Sequence, residues 1–140
     1  MRLVLDTNIA LSALLWGGQP GRLIDAARQA RIVLASSAPL LAELQGVLSR
    51  PKFAKQLALR GLAASELFEG FAALVEVVVP ALITPTIVRD AADDQVLATA
   101  LAAAADLIVS GDAHLLDLKW FQGILIVGTA EALARLPSSR

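Results

Sequence analysis

The sequence predicts an α/β fold, a central and mainly parallel sheet covered by helices on both faces. Two observations predict it. Short apolar runs alternate with longer segments of helical period along the whole chain. The runs LVL, LIV and ILIV are apolar at consecutive positions rather than at every second one. Strands buried on both faces read that way. Composition agrees: the chain has 140 residues, 56% apolar and 18% charged, which excludes a disordered chain and suits a single core. We expect one domain over residues 1–136 and a frayed tail at 137–140.

Each element follows from local chemistry. Arg2–Leu5 reads as a buried strand that ends in Asp6. Thr7–Trp16 reads as a helix with Ile9, Ala10, Ala13 and Leu14 on one face, stopped by Gly17 and Gly18. Pro20 opens a helix over 20–30 that packs Leu23, Ile24 and Ala27. A strand follows at 31–35. Ser36 and Ser37 are placed to cap the next helix, with Pro39 in its first turn and Pro51 beyond its end near Arg50. Helices at 52–59 and 63–75 flank Gly61, and β-branched residues predict a strand at 76–79. The segment 80–89 is a connector, and 90–105 an alanine-rich helix. Strands at 107–110 and 124–128 and a helix at 129–136 complete the chain.

Several chemistries are excluded. There is no cysteine, so disulfides, thiolate metal sites and a thiol nucleophile are out. His114 is the one histidine, which excludes multi-histidine zinc sites. No charge-free stretch reaches the roughly 20 apolar residues of a membrane span. No leader is visible in MRLVLDTN, and we expect a cytoplasmic protein that avoids membranes. A net charge of −1 carries no footprint of tight nucleic-acid binding, though it leaves room for a transient nucleic-acid substrate.

The chemistry is expected among the acids. In open α/β sheets, sites form at the carboxyl ends of strands. Asp6 and Asp112 sit at two such ends, where each is equally suited to cap a helix or turn. Glu43 falls between Leu40 and Val47 on a stripe read as core-facing, where an unpaired carboxylate is costly. Asp93 and Asp94 open the alanine-rich helix, a position where acids with Asp90 also complement the helix dipole. Four acidic elements from four segments would repel strongly if gathered. A hard divalent cation, Mg2+ or Mn2+, relieves that repulsion. Such an ion also acidifies water and clamps phosphate oxygens, so the favoured reaction is metal-assisted phosphodiester hydrolysis.

Three segments, LVLDTNIALSAL, LAELQGVL and DDQVLATALAAAADLIVSGDAHLL, resemble the PIN domain in order and spacing. More narrowly, the chain looks like the short single-domain PIN proteins that act as toxins of toxin–antitoxin systems. The resemblance implies a three-layer α/β/α sandwich and a metal-dependent ribonuclease. By position it assigns Asp6, Glu43, Asp93 and Asp112 as catalytic. Asp6, Asp93, Asp94 and Asp112 would hold Mg2+ or Mn2+, with Asn8 and Ser110 supporting them. Glu43 would orient or deprotonate the attacking water. Some relatives carry a further acid where this chain has His114, and Asp117 follows three residues later. The implied partners are an RNA substrate and a cognate antitoxin. No substrate-binding residue is fixed, although Arg22, Arg50, Lys52 and Lys55 are candidates for phosphate contact.

Two other function classes compete. One is a catalytically silent PIN-like module that only binds RNA or protein. The other is a different Mg2+-dependent α/β phosphohydrolase or receiver, against which stand Asn8 and the poor spacing of Lys119. The six aromatics, Trp16, Phe53, Phe68, Phe71, Trp120 and Phe121, are expected to pack in a core or an interface. The apolar region 62–79 is a candidate homodimer contact or antitoxin groove.

Overall fold

In the computed structural model, which describes residues 1–84 and 91–137, the chain forms the α/β fold expected. The elements run β1 (Arg2–Leu5), α1 (Thr7–Trp16), α2 (Gly18–Arg28), β2 (Val33–Ser36), α3 (Ala38–Leu48), α4 (Pro51–Leu59) and α5 (Ala64–Leu74). They continue with β3 (Glu76–Val77), α6 (Ala91–Ala102), β4 (Leu107–Val109), α7 (Ala113–Leu118), β5 (Trp120–Phe121), β6 (Ile124–Val127) and α8 (Thr129–Ala134). One sheet has the order β3-β2-β1-β4-β6-β5. Every described pairing is parallel except β5 with β6.

Alternation along the strands divides the interior between two helical layers. Leu3, Leu5, Leu34, Leu107 and Val109 join Ala10, Leu14, Leu23, Leu44 and Ala132 on one face. Val4, Ala35, Ile108 and Ile126 join Val96, Leu97, Ala100 and Leu115 on the other. A period of two in each strand therefore feeds both layers at once, and this is why the strands read as continuous apolar runs.

The order also fixes where a site can form. From β1 the chain adds β2 and β3 outward on one side, then returns through α6 to β4 on the other. Neighbouring strands whose connections leave in opposite directions open a crevice above their carboxyl ends. Here those strands are β1 and β4, paired as Leu3 with Leu107 and Leu5 with Val109.

Some expectations shift. Gly17, at φ 74°, lets α2 begin at Gly18, before Pro20. The strand expected at 31–35 begins at Val33. Arg31 N–H still donates to Ala26 O at 3.0 Å, closing α2 through Ala30 at φ 59°. Ser37 precedes α3 without a side-chain cap bond, since its hydroxyl is engaged elsewhere. The strand expected at 76–79 spans Glu76–Val77 alone. Helix α7 and strand β5 were not expected; β5 turns into β6 through Gln122 (φ 48°) and Gly123 (φ 84°). Trp16 and Trp120 are more than half exposed, outside the core. Phe71 and Phe121 are buried, and Phe53 and Phe68 are partly so. In the 62–79 region, Val77 and Val79 are exposed. Among the described residues, no helix is long and apolar enough to cross a membrane. The end of the expected connector at 85–89, the expected helix start at Asp90 and tail residues 138–140 lie outside the described residues.

Candidate functional site

Above the β1–β4 crevice lies a pocket of about 60 Å³ lined by Asp6, Thr7, Asn8, Glu43, Ala92, Asp93, Val96 and Asp112. A water needs roughly 10–15 Å³ by this measure, so the pocket suits an ion with a few waters. Its lining comes from the end of β1 with the start of α1, from α3, from the first turns of α6, and from the cap of α7.

Asp6 is placed by the strand and the helix it joins. Its N–H donates to Val109 O at 3.0 Å, which continues the β1–β4 ladder one residue past β1. Its backbone is extended, and Oδ1 accepts from Ile9 N–H at 2.8 Å, so it caps α1. Oδ2 accepts from the hydroxyl of Ser110. Burial pushes the Asp6 carboxyl above the ordinary aspartate value. Hydrogen bonds from Ser110, Ile9 and Gly111 oppose that push, and the charge of Asp112 adds to it.

Ser110 ties the two strand-end acids together. It is fully buried; its Oγ donates to Asp6 and accepts from Asp112 N–H at 2.9 Å. A hydroxyl has one proton and two lone pairs, which allows both bonds. Asp112 then caps α7, accepting His114 N–H at 2.7 Å. The capping role and the pocket role therefore coexist at both Asp6 and Asp112.

Asp93 is 7% exposed, in the first turn of α6. A buried hydroxyl pair holds that helix beside α3. Thr99 Oγ1 donates to Gln95 O at 2.7 Å, so the 2.8 Å contact between Thr99 and Ser37 must use the Ser37 proton. Both residues are fully buried.

Glu43 differs from expectation. It lines the pocket but is exposed, on the rim rather than in the core. The buried stripe of α3 is Leu40, Leu44 and Leu48, each four residues apart, and Glu43 lies beside it. Asn8 is also exposed at the pocket. Asp94 is not brought there. It lines a larger groove of about 350 Å³ with Pro80, Ala81, Leu82, Ile83, Gln95 and Ala98. Arg22, Arg50, Lys52 and Lys55 are all exposed, and Lys52 Nζ lies 5.0 Å from the Phe53 ring centre.

Sequence reasoning missed Thr7, a buried lining residue whose Oγ1 has no hydrogen-bond partner among the described residues. Its position beside Asp6 was the available signal. It also did not count His114 among the groups that could hold a metal. Ligand atoms of Asp93, Asp112 and His114 all lie within 4.8 Å of one another. Two carboxylates and an imidazole fit a divalent cation by donor chemistry. Asp6 and Glu43 line the same pocket outside that group of three.

Residues 2–114 match the family model described as PIN domain. No curated protein matches the chain. Among solved structures, it is similar to VapBC2 from Rickettsia felis, bound to a DNA fragment from their promoter. The identity is 19% and the TM-score 0.60, covering 90% of this chain and 97% of that one. It is also similar to FitAcB from Neisseria gonorrhoeae, with 18% identity and a TM-score of 0.50 over 91% and 98% of the two chains. At these identities the likeness establishes a shared fold.

Proposed function

The chain belongs to the PIN domain family, and from that premise we propose that it is a metal-dependent ribonuclease serving as the toxin of a toxin–antitoxin pair. One observation carries the nuclease reading. Asp6, Glu43, Asp93 and Asp112, distant in sequence, line one small pocket at the β1–β4 crevice. The likeness to VapBC2 and FitAcB supports the toxin role and an antitoxin partner.

Asp93 and Asp112 would hold Mg2+ or Mn2+, with Asp6 beside them. When bound, the ion supplies an acidified water and neutralises charge on the scissile phosphate. The protein's own groups do the rest. Glu43, exposed on the rim, accepts the proton of the attacking water. Ser110 holds Asp6 and Asp112 in fixed relation through its two hydrogen bonds. Asn8 offers an amide at the pocket mouth to a phosphate oxygen. Exposed Arg50, Lys52 and Lys55 supply charge for the backbone of a bound strand.

The test incubates purified protein with labelled single-stranded RNA in Mn2+ or in EDTA, beside Asp6→Asn. The reading expects cleavage that needs metal and is lost in the variant. Cleavage that persists in Asp6→Asn overturns the site assignment. Metal-dependent RNA binding without hydrolysis in the wild-type protein makes it a binding module instead.

A further inference from the structure

Resting on the metal site proposed above, we infer that His114 is a ligand to its divalent ion and tilts the site toward Mn2+ over Mg2+.

The argument begins with position. His114 follows the cap of α7, and its backbone N–H is fixed by Asp112 Oδ1 at 2.7 Å. That bond returns the imidazole toward the same carboxylate, with Nδ1 3.6 Å from Asp112 Oδ1. Asp93 reaches the same point from α6, so the three ligand atoms lie within 4.8 Å of one another. Donors bound at about 2.1 Å sit about 3.0 Å apart when adjacent and about 4.2 Å apart when opposite. The 3.6 Å between His114 Nδ1 and Asp112 Oδ1 falls between those two separations, and the 4.8 Å limit on the whole group exceeds the larger of them by about 0.6 Å. The half-exposed side chain of His114 is free of core packing and can close that difference.

Chemistry then sets the preference. Mg2+ favours oxygen donors and keeps several waters, gaining little from an imidazole. Mn2+ shares the preference of Mg2+ for carboxylate and water, but as a first-row transition ion it stands in the affinity series for mixed nitrogen and oxygen sites, and it gains from a nitrogen donor that Mg2+ does not reward. A carboxylate at position 114 would add a third negative oxygen donor and favour Mg2+. An imidazole adds a neutral nitrogen and favours Mn2+. It also adds no charge beside Asp6, whose carboxyl is already crowded by burial and by Asp112.

The experiment measures binding rather than turnover. Mn2+ and Mg2+ are titrated separately into wild-type protein, His114→Ala, His114→Asp and Asp112→Asn by calorimetry. Electron spin echoes of bound Mn2+ are recorded for nitrogen coupling. Replacing the His114 side chain keeps the backbone bond to Asp112, so α7 retains its cap. We expect nitrogen coupling in the wild type and none in His114→Ala. That variant should lose about tenfold or more in Mn2+ affinity and far less for Mg2+. His114→Asp should move the preference toward Mg2+. Mn2+ binding without nitrogen coupling, or equal losses for both ions in His114→Ala, overturns the inference and leaves the acidic site standing, provided Asp112→Asn abolishes binding. If wild-type protein binds neither ion, the proposed metal site fails and the inference with it.

Discussion

Two hollows share helix α6 as a wall, and they differ in kind. The pocket holding Asp93 measures about 60 Å³, and the groove holding Asp94 about 350 Å³. The larger one is lined by a single stretch, Pro80 to Ile83, folded against one face of α6. The smaller one gathers side chains from residues 6–8, 43, 92–96 and 112. Its acids stand at the ends of two adjacent parallel strands and on two helices that pack against them. Size therefore does not identify the site. Convergence of acids from remote segments marks the candidate, because two of them, Asp6 and Asp93, are buried, and burying a charge opposes folding unless it serves a partner.

The sharpest way to break this comparison is to neutralise each neighbour in turn. Asp93→Asn should lower metal-dependent RNA cleavage by about 100-fold or more, on the scale of losing a key electrostatic group. Asp94→Asn should stay within about threefold. Equal losses in the two variants, measured as kcat/KM on one RNA, would erase the distinction between the hollows.

A second prediction concerns the clamp that presents Asp93. Thr99→Val removes the acceptor of the buried Ser37 proton and should destabilise the fold by about 1–3 kcal/mol. Urea unfolding followed by circular dichroism measures it. Activity per folded molecule should also fall, because α6 carries the acid.

A third uses pH. The Asp6 carboxyl is raised by burial, so in EDTA the folded state binds more protons than the unfolded state between the ordinary aspartate value and the raised one. The Asp6 contribution to stability should fall as pH rises through that window and should be fully present below it. Asp6→Asn should remove this component, so the wild-type and variant curves of stability against pH should diverge there. Parallel curves would contradict the buried, charge-crowded Asp6. Added Mn2+ should reverse the wild-type slope, since metal binding requires the ionised form.

The smallest effect lies away from both hollows. Ala104 ends α6 in the left-handed region at φ 50°, where a side chain is strained. Ala104→Gly should add up to about 1 kcal/mol of stability and leave cleavage unchanged.

The strand-end acids were legible because their signal is local. An apolar run that stops at an acid, as at Asp6, or at Ser-Gly-Asp, as at Asp112, marks the carboxyl edge of a buried strand. The choice between Asp93 and Asp94 was not legible from burial contrast. Val96, Leu97, Ala98, Thr99 and Ala100 are all buried, so α6 is apolar nearly all round and has no polar face to set its phase. Glu43 was placed in the core because helical spacing names neighbours but not the edge of a stripe; Leu40, Leu44 and Leu48 define that edge only after packing. The segment α7 to β5 gave no periodic signal. A six-residue helix completes fewer than two turns, and a two-residue strand exists only through its pairing with β6.

The bond from Ser110 to Asp6 spans 104 positions of sequence, and the Asp6 N–H reaches Val109 over nearly as many. Consider the chain as it leaves the ribosome. Its first acid emerges almost at once, yet the partners that orient it follow only when β4 and Asp112 have been made. A chain halted anywhere before that point has acids but no pocket. The pocket is thus a late product of synthesis, complete only once the last of its acids and the serine that ties two of them have left the ribosome.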